Sequence, residues 1–205
     1  MILPKIYPIT DSRIAKISHA EQVRKLIKGG ATFIQLREKY ASPNDFYHSA
    51  LEALKIARRQ NVKIIINDRV DIALALKADG VHLGQTDLPP EQARKILGEK
   101  AIIGFSTHNL KQAAEAVNFP IDYLAIGPVF ITRTKENPDD TTGLETVKRV
   151  REAIGDFPLV AIGGITSKNF NEVLKTGADS AAIISDLLSD ADKIVEKTRT
   201  FLHWR

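Results

Sequence analysis

Short polar clusters directly follow apolar runs at several points along this chain, and their side chains are of the types that hold phosphate and hard metal ions. In FIQLREK, Gln35, Arg37 and Lys39 alternate, so on an extended segment they share one side. An amide and two cations placed in this way suit a polyphosphate, with the guanidinium as a fork and the ammonium as a point charge. The competing structural role is a solvated strand end with an ordinary Glu38–Lys39 pair. After the apolar KIII run come Asn67 and Asp68, and the next cluster, HLGQTD, brings His82, Gln85 and Asp87. Carboxylates from two adjacent loops, completed by water and phosphate, are how proteins usually hold magnesium. Asp68 or Asp71 could instead cap the following helix, and Asp87 could cap the one after LPP. GFSTH supplies Ser106, placed to donate to phosphate, and His108, either an acid/base or a solvent-facing side chain. Further on stand Thr132, Thr134 and Lys135, then Gly163 and Gly164 in AIGGI, and Ser185 in IIS. Paired glycines let backbone N–H groups approach an anion, although glycine also simply turns a chain.

Composition narrows the chemistry. The chain has no cysteine, which excludes disulfides, thiolate nucleophiles and Cys-ligated metal, so catalysis must use oxygen and nitrogen groups. With 205 residues, 43% of them apolar and 26% charged, it is sized for one well-buried domain, and its mean hydropathy of -0.14 is that of a soluble protein. A net charge of +4 would fit nucleic acid, but Lys and Arg are interspersed with Asp and Glu rather than clustered. The same modest excess suits phosphorylated substrates, and no nucleic-acid partner is expected. The start, MILPKIYPITDSR, shows no basic region followed by a long apolar run, and no stretch approaches a spanning helix. A cytoplasmic location away from membranes is the expectation, and a homodimer is left open.

The elements that must position these residues follow a β-then-α rhythm. Apolar runs at 5–9, 32–36, 63–67, 80–83, 101–105, 123–127, 159–163 and 180–185 have the character of parallel strands buried on both faces. Helical periodicity lies between them, at about 19–29, 43–60, 70–77, 89–97, 109–117, 143–154, 167–175 and 190–203. Ser42, Asn109 and Ser167 are the expected helix starts, and Gly29–Gly30, Gly98 and Gly177 the stops. Eight such units close into a single (β/α)8 TIM barrel over 1–205. A doubly wound open sheet is the rival, disfavoured because no glycine-rich dinucleotide fingerprint follows the first run. In a barrel the carboxyl ends of the strands form the active rim, which is where the polar clusters fall. The long irregular segment 128–143 reads as a mobile lid.

In order and spacing, YPITD, FIQLREK, INDRVDIALALKADGVHLGQTDLP, GFSTH, DYLAIGPVFITRTK and VAIGGIT resemble the motif set of the thiamine phosphate synthases over nearly the whole chain. The segment after Lys135, ENPDDTTG, departs from that pattern in being longer and more acidic. The resemblance implies a transferase of thiamine biosynthesis that joins an aminopyrimidine diphosphate to a thiazole phosphate and releases pyrophosphate with Mg2+. It further implies that Arg37, Lys39, Asn67 and Lys135 hold the diphosphate, that Asp68 and Asp87 bind magnesium, and that Gln35 and His82 line the pyrimidine pocket. Thr132, Thr134, Gly164, Ile184 and Ser185 would grip the thiazole phosphate, and Ser106 would contact the departing pyrophosphate. Arg37, Lys39, Lys135 and Ser106 are then the catalytic group.

Two other readings are distinguishable. A related thiazole tautomerase, similar around STHNLKQA, would use His108 as acid/base and has no use for a metal-bound diphosphate. A non-catalytic barrel that senses thiamine precursors and regulates a partner need not keep both magnesium carboxylates.

Overall fold

The computed structural model describes residues 1–132, 134 and 140–203. Eight parallel strands close on themselves in sequence order: β1 (Ile6–Thr10), β2 (Phe33–Leu36), β3 (Lys63–Asn67), β4 (Gly80–Leu83), β5 (Ile102–Thr107), β6 (Tyr123–Ile126), β7 (Leu159–Ile162) and β8 (Ser180–Ile183). Closure is made by β1 pairing with β8, Ile6 opposite Ala181 and Pro8 opposite Ile183. The helices between the strands are α1 (Ser12–Ala15), α2 (His19–Gly29), α3 (Pro43–Arg59), α4 (Val70–Leu76), α5 (Pro90–Leu97), α6 (Leu110–Ala116), α7 (Gly143–Ile154) and α8 (Phe170–Lys175), followed after β8 by α9 (Ser185–Leu188) and α10 (Ile194–His203). Among the described residues, no helix is long and apolar enough to cross a membrane.

Each strand is apolar on both faces because each face meets a different core. Ile34, Leu36, Ile64, Ile66, Val81, Leu83, Leu124 and Ile126 point outward and pack under the helices. The alternate positions, Tyr7, Ile9, Phe33, Ile65, Tyr123, Ala125, Val160 and Ala182, fill the barrel interior. Period-two alternation thus separates two apolar environments over most of a strand and becomes apolar against polar only near the carboxyl ends.

Helix boundaries follow local chemistry with one correction. Ser42 accepts the Asp45 N–H, and Asn109 accepts the Gln112 N–H at 2.9 Å, so both cap as expected. Ser167 does not: α8 begins at Phe170, with Asn169 at its cap position, and the Ser167 N–H is bound 2.9 Å from the Asp186 carboxylate, which ties this loop to α9. The last run, expected to be a strand over 180–185, leaves the sheet at Ile183 so that Ser185 opens α9. α1 and α9, four residues each, are too short for periodicity to reveal.

The amino ends of the strands are fastened by a recurring device. Asp79, Asp122 and Asp179 each precede an even-numbered strand, and each carboxylate accepts the N–H of the first residues of the strand before: Ile64, Ile103 and Leu159, at 2.9, 2.8 and 2.9 Å. Arginines on the preceding helices complete two of these clamps. Arg94 binds Asp122 and the carbonyls of Gly98, Ala101 and Pro120, and Arg151 binds Asp179 and those of Gly155, Phe157 and Gly177. This end carries the stability of the barrel and leaves the opposite rim for chemistry.

Candidate active site

The carboxyl-end rim surrounds a cavity of about 510 Å³. Gln35, Arg37, Lys39, Asn67, Asp68, His82, Asp87, Ser106, Thr132, Thr134, Gly164, Ile184 and Ser185 all line it, so the residues expected from scattered polar clusters do converge. Lys135 lies outside the described residues, as do residue 133 and residues 136–139 of the segment expected to form a lid.

At β2 the alternation works as the spacing predicts, and the intervening residue explains why it is held. Arg37 and Lys39 reach the cavity, while Glu38 turns back to accept from Ser12 Oγ at 2.6 Å and the Tyr40 N–H at 3.1 Å. His19 Nε2 stands 3.3 Å from the same carboxylate, and Thr10 Oγ1 is 2.7 Å from His19 Nδ1. Burial alone would raise the Glu38 carboxyl, but the hydrogen bonds from Ser12 and Tyr40 and the neighbouring His19 outweigh it and hold it below its ordinary value. Burial lowers His19, with Glu38 and Asp11 opposing. The ordinary Glu38–Lys39 pair therefore does not form. Lys39 pairs with Asp68 instead, and Arg37 Nη1 donates to Asp11 Oδ2 at 2.5 Å.

Beyond β3 the backbone turns abruptly. Asp68 has φ +61, a conformation that aspartate tolerates better than most residues, and its N–H bonds the His82 carbonyl at 2.8 Å. Neither aspartate caps a helix: Arg69 occupies that position for α4 and Pro89 for α5, both without a side-chain cap bond. Asp87 Oδ2 instead accepts the Gly84 N–H at 2.7 Å, folding the loop so that its carboxyl comes within hydrogen-bonding reach of Asp68. Burial and then the Asp68 charge raise the Asp87 carboxyl above its ordinary value, against the Gly84 N–H and Lys39. Beside them the buried Asn67 Nδ2 makes no hydrogen bond. Two crowded carboxylates are a hard-oxygen donor pair that a divalent cation would relieve, so these residues fit magnesium. Among the described residues, no cluster of three or more ligating side chains forms, so the other ligands must come from water and substrate.

The cavity floor holds what the sequence reading missed. Gln35 Nε2 donates to Tyr7 Oη at 2.9 Å, Tyr7 and Tyr123 hydroxyls are 2.8 Å apart, and Tyr123 Oη is 2.9 Å from His82 Nδ1. His82 Nε2 in turn is 2.8 Å from Ser106 Oγ. Both tyrosines sit inside apolar runs, and their only sequence signal is a hydroxyl at an inward-facing position. His108 is not solvent-directed: it lines the cavity with Nδ1 2.7 Å from the Gly127 carbonyl.

Across the ring, Gly163 and Gly164 take φ +103 and +63. A side chain at Gly164 would meet the Phe130 Cβ and the Ile131 carbonyl, both at 2.7 Å, so the bare backbone forms this wall. β7 lies opposite β3 in the closed order, and β8 opposite β4, so the glycine-built lip faces the charged one across the cavity.

Comparison with known proteins agrees with this geometry. The sequence model of the family described as Thiamine monophosphate synthase matches residues 6–187. The thiamine-phosphate synthase of Clostridium novyi (strain NT) is 49% identical over 92% of this chain and 92% of its own length. That of Clostridium acetobutylicum is 43% identical over 95% and 92%. A solved structure of thiamine phosphate pyrophosphorylase from Pyrococcus furiosus superposes with a TM-score of 0.86 at 39% identity, covering 96% of this chain and 93% of that one. With a family match across most of the barrel and close relatives along nearly its full length, the chain belongs to the thiamine monophosphate synthase family and is a transferase.

Proposed function

We propose that this site joins an aminopyrimidine diphosphate to a thiazole phosphate, releasing pyrophosphate. The observation that carries the reading is the division of one cavity into two anion-accepting lips, a charged one on β2 to β4 and a backbone-built one on β7 and β8. Two phosphorylated reactants need two such lips at a distance that lets their reacting ends meet.

Arg37 and Lys39 bind the diphosphate, with Asn67 offering its unsatisfied amide nitrogen and Ser106 its hydroxyl. Gln35 and His82 flank the pyrimidine. Thr132, Thr134, the Gly164 and Ile184 backbone and Ser185 receive the thiazole phosphate. Asp68 and Asp87 would hold Mg2+, which when bound supplies neutralisation of leaving-group charge. Asp11 keeps Arg37 extended into the cavity at 2.5 Å, so its orientation is set before substrate arrives.

The chemistry asks for no side-chain nucleophile. The electron-rich aminopyrimidine expels pyrophosphate, the C–O bond breaking toward the leaving group, and the thiazole nitrogen attacks the resulting benzyl-like carbon. The protein stabilises negative charge on the departing oxygens and limits access of water to the cation. Mixing the purified chain with both substrates and magnesium, and following pyrophosphate, tests the reading directly. Release that requires both substrates and the metal is expected. Absence of release, with isomerisation of the thiazole alone, would transfer the assignment to a tautomerase acting through His108.

A further inference from the structure

Two phenols lie beneath the cavity, and neither touches the reacting groups in the reading above. Tyr7 and Tyr123 are 1% and 0% exposed, edge-on to one another with ring centroids 5.9 Å apart, and Tyr123 also stacks on His82 at 5.5 Å. Their place is made by a glycine: a side chain at Gly104 would sit 2.1 Å from Tyr123 Cζ and 2.5 Å from His82 Nδ1. The packing therefore serves a continuous chain of hydrogen bonds from Gln35 on β2, through Tyr7 and Tyr123, to His82 and Ser106.

Such a chain has a direction, because each phenol has a single proton to give. Burial holds both phenols well above their ordinary values, so both protons stay in place. Tyr7 oxygen already receives the Gln35 amide proton, so its own proton goes to Tyr123. The Tyr123 proton then goes to His82 Nδ1, and a nitrogen that accepts carries no proton. Neutral His82 must be protonated at Nε2, where it donates to Ser106 Oγ. The Ser106 proton is thereby turned away from the imidazole. At His108, by contrast, Nδ1 must carry a proton, since it faces a carbonyl that can only accept.

We propose that Tyr7 and Tyr123 are positioning residues that transmit the sense of the Gln35 carboxamide to His82, fixing it as the Nε2–H tautomer so that Ser106 offers its proton to the departing pyrophosphate. The proposal rests on the synthase reading for the identity of the leaving group. Turning the carboxamide over would reverse every link and engage the Ser106 proton with His82. A substrate amino group, which needs the Gln35 Oε1 as acceptor, holds the carboxamide in the productive sense. The relay thus links recognition of the ring to hydrogen bonding of the leaving group, although the two ends belong to different strands.

The test combines spectroscopy with kinetics. In protein labelled with 15N-histidine, long-range proton–nitrogen spectra report each tautomer, with His82 assigned by its loss in His82→Asn. Wild type should show His82 as Nε2–H and His108 as Nδ1–H. Tyr123→Phe should abolish the defined His82 tautomer and lower kcat by about tenfold to a hundredfold, the loss of one hydrogen bond to a charged group, with KM for the thiazole phosphate unchanged. In a Ser106→Ala background the same substitution should change kcat by less than about twofold, because its effect passes through that hydroxyl. Tyr7→Phe cuts the relay one link earlier and serves if Tyr123→Phe does not fold. A wild-type His82 protonated at Nδ1, a variant with unchanged tautomer and kcat, or full additivity with Ser106→Ala would each overturn the proposal. If wild type releases no pyrophosphate, the synthase reading fails, and the tautomer spectra still decide the polarity of the relay.

Discussion

Asp68 and Asp87, carried by the loops after consecutive strands, bring their carboxyl groups within hydrogen-bonding reach of one another, and Lys39 donates to Asp68 from the strand before. Left to themselves, two carboxylates at this lip would repel a diphosphate. A divalent cation held by these residues would convert the lip into an acceptor and leave Lys39 able to turn toward substrate.

Replacing Asp87 by Asn keeps an acceptor for the Gly84 N–H and removes only charge. Magnesium-dependent turnover should fall by about a hundredfold or more, with the thermal midpoint unchanged within about 2 °C. Calorimetric titration with magnesium in the presence of pyrophosphate should show correspondingly weaker binding. Wild-type turnover in Asp87→Asn would remove this carboxylate from the metal site.

The glycine at 104 is predicted to be indispensable to the floor. Its missing Cβ would lie 2.1 Å from Tyr123 Cζ and 2.3 Å from the Tyr123 hydroxyl, contacts a rigid ring cannot yield to. Gly104→Ala should cost about 1–3 kcal/mol of stability, the usual toll of overpacking, read as a lower urea midpoint. An unaltered midpoint would mean that the floor is looser than its contacts indicate.

Much of this architecture was legible in the sequence because it depends on local signals. Each strand is an apolar run, most helices carry their own period, and Gln35, Arg37 and Lys39 disclose their common side by alternation alone. The Tyr7–Tyr123 pair was not legible, because the hydroxyls meet across 116 residues of chain and only the closed register of the barrel brings β1 near β6 through the interior. Asp11 and Glu38 were visible as polar residues near strand ends, yet nothing local says that one steadies Arg37 while the other is drawn back by Ser12 and the Tyr40 N–H, with His19 beside it. Ser167 misled because serine before a periodic run is a cap signal, and here a distant carboxylate, Asp186, claimed its N–H.

The pair behind Arg37 predicts a pH dependence of stability. Burial lowers His19 from its ordinary value of 6.5. The unfolded chain therefore binds the His19 proton more readily, and stability is lost as pH falls from about 6.5 toward the lowered folded value. Glu38 is also lowered, from 4.5, so its contribution is retained above that value and lost only as pH falls through the folded one. The His19 window therefore opens at the higher pH. His19→Gln should flatten the dependence of the denaturation midpoint between pH 7 and pH 5.5 relative to wild type; parallel curves would assign the slope to other groups.

At the other end of the barrel the arginine clamps make a prediction of the opposite kind, on stability without chemistry. Arg151 joins Asp179 to the carbonyls of Gly155, Phe157 and Gly177, so one guanidinium closes the end of α7, the approach to β7 and the turn into β8. Methionine can fill the space of the aliphatic stem but donates to none of these oxygens, leaving partly buried carbonyls and a carboxylate without their partner. The expected cost is about 2 kcal/mol, or roughly 4–8 °C in melting temperature for a chain of this size. Because no clamp residue lines the cavity, KM for either substrate should be unchanged at temperatures where Arg151→Met is folded. A raised KM with an intact melting temperature would show that the two ends of the barrel are mechanically coupled, and that the division of labour between a stabilising face and a reactive one does not hold for this chain.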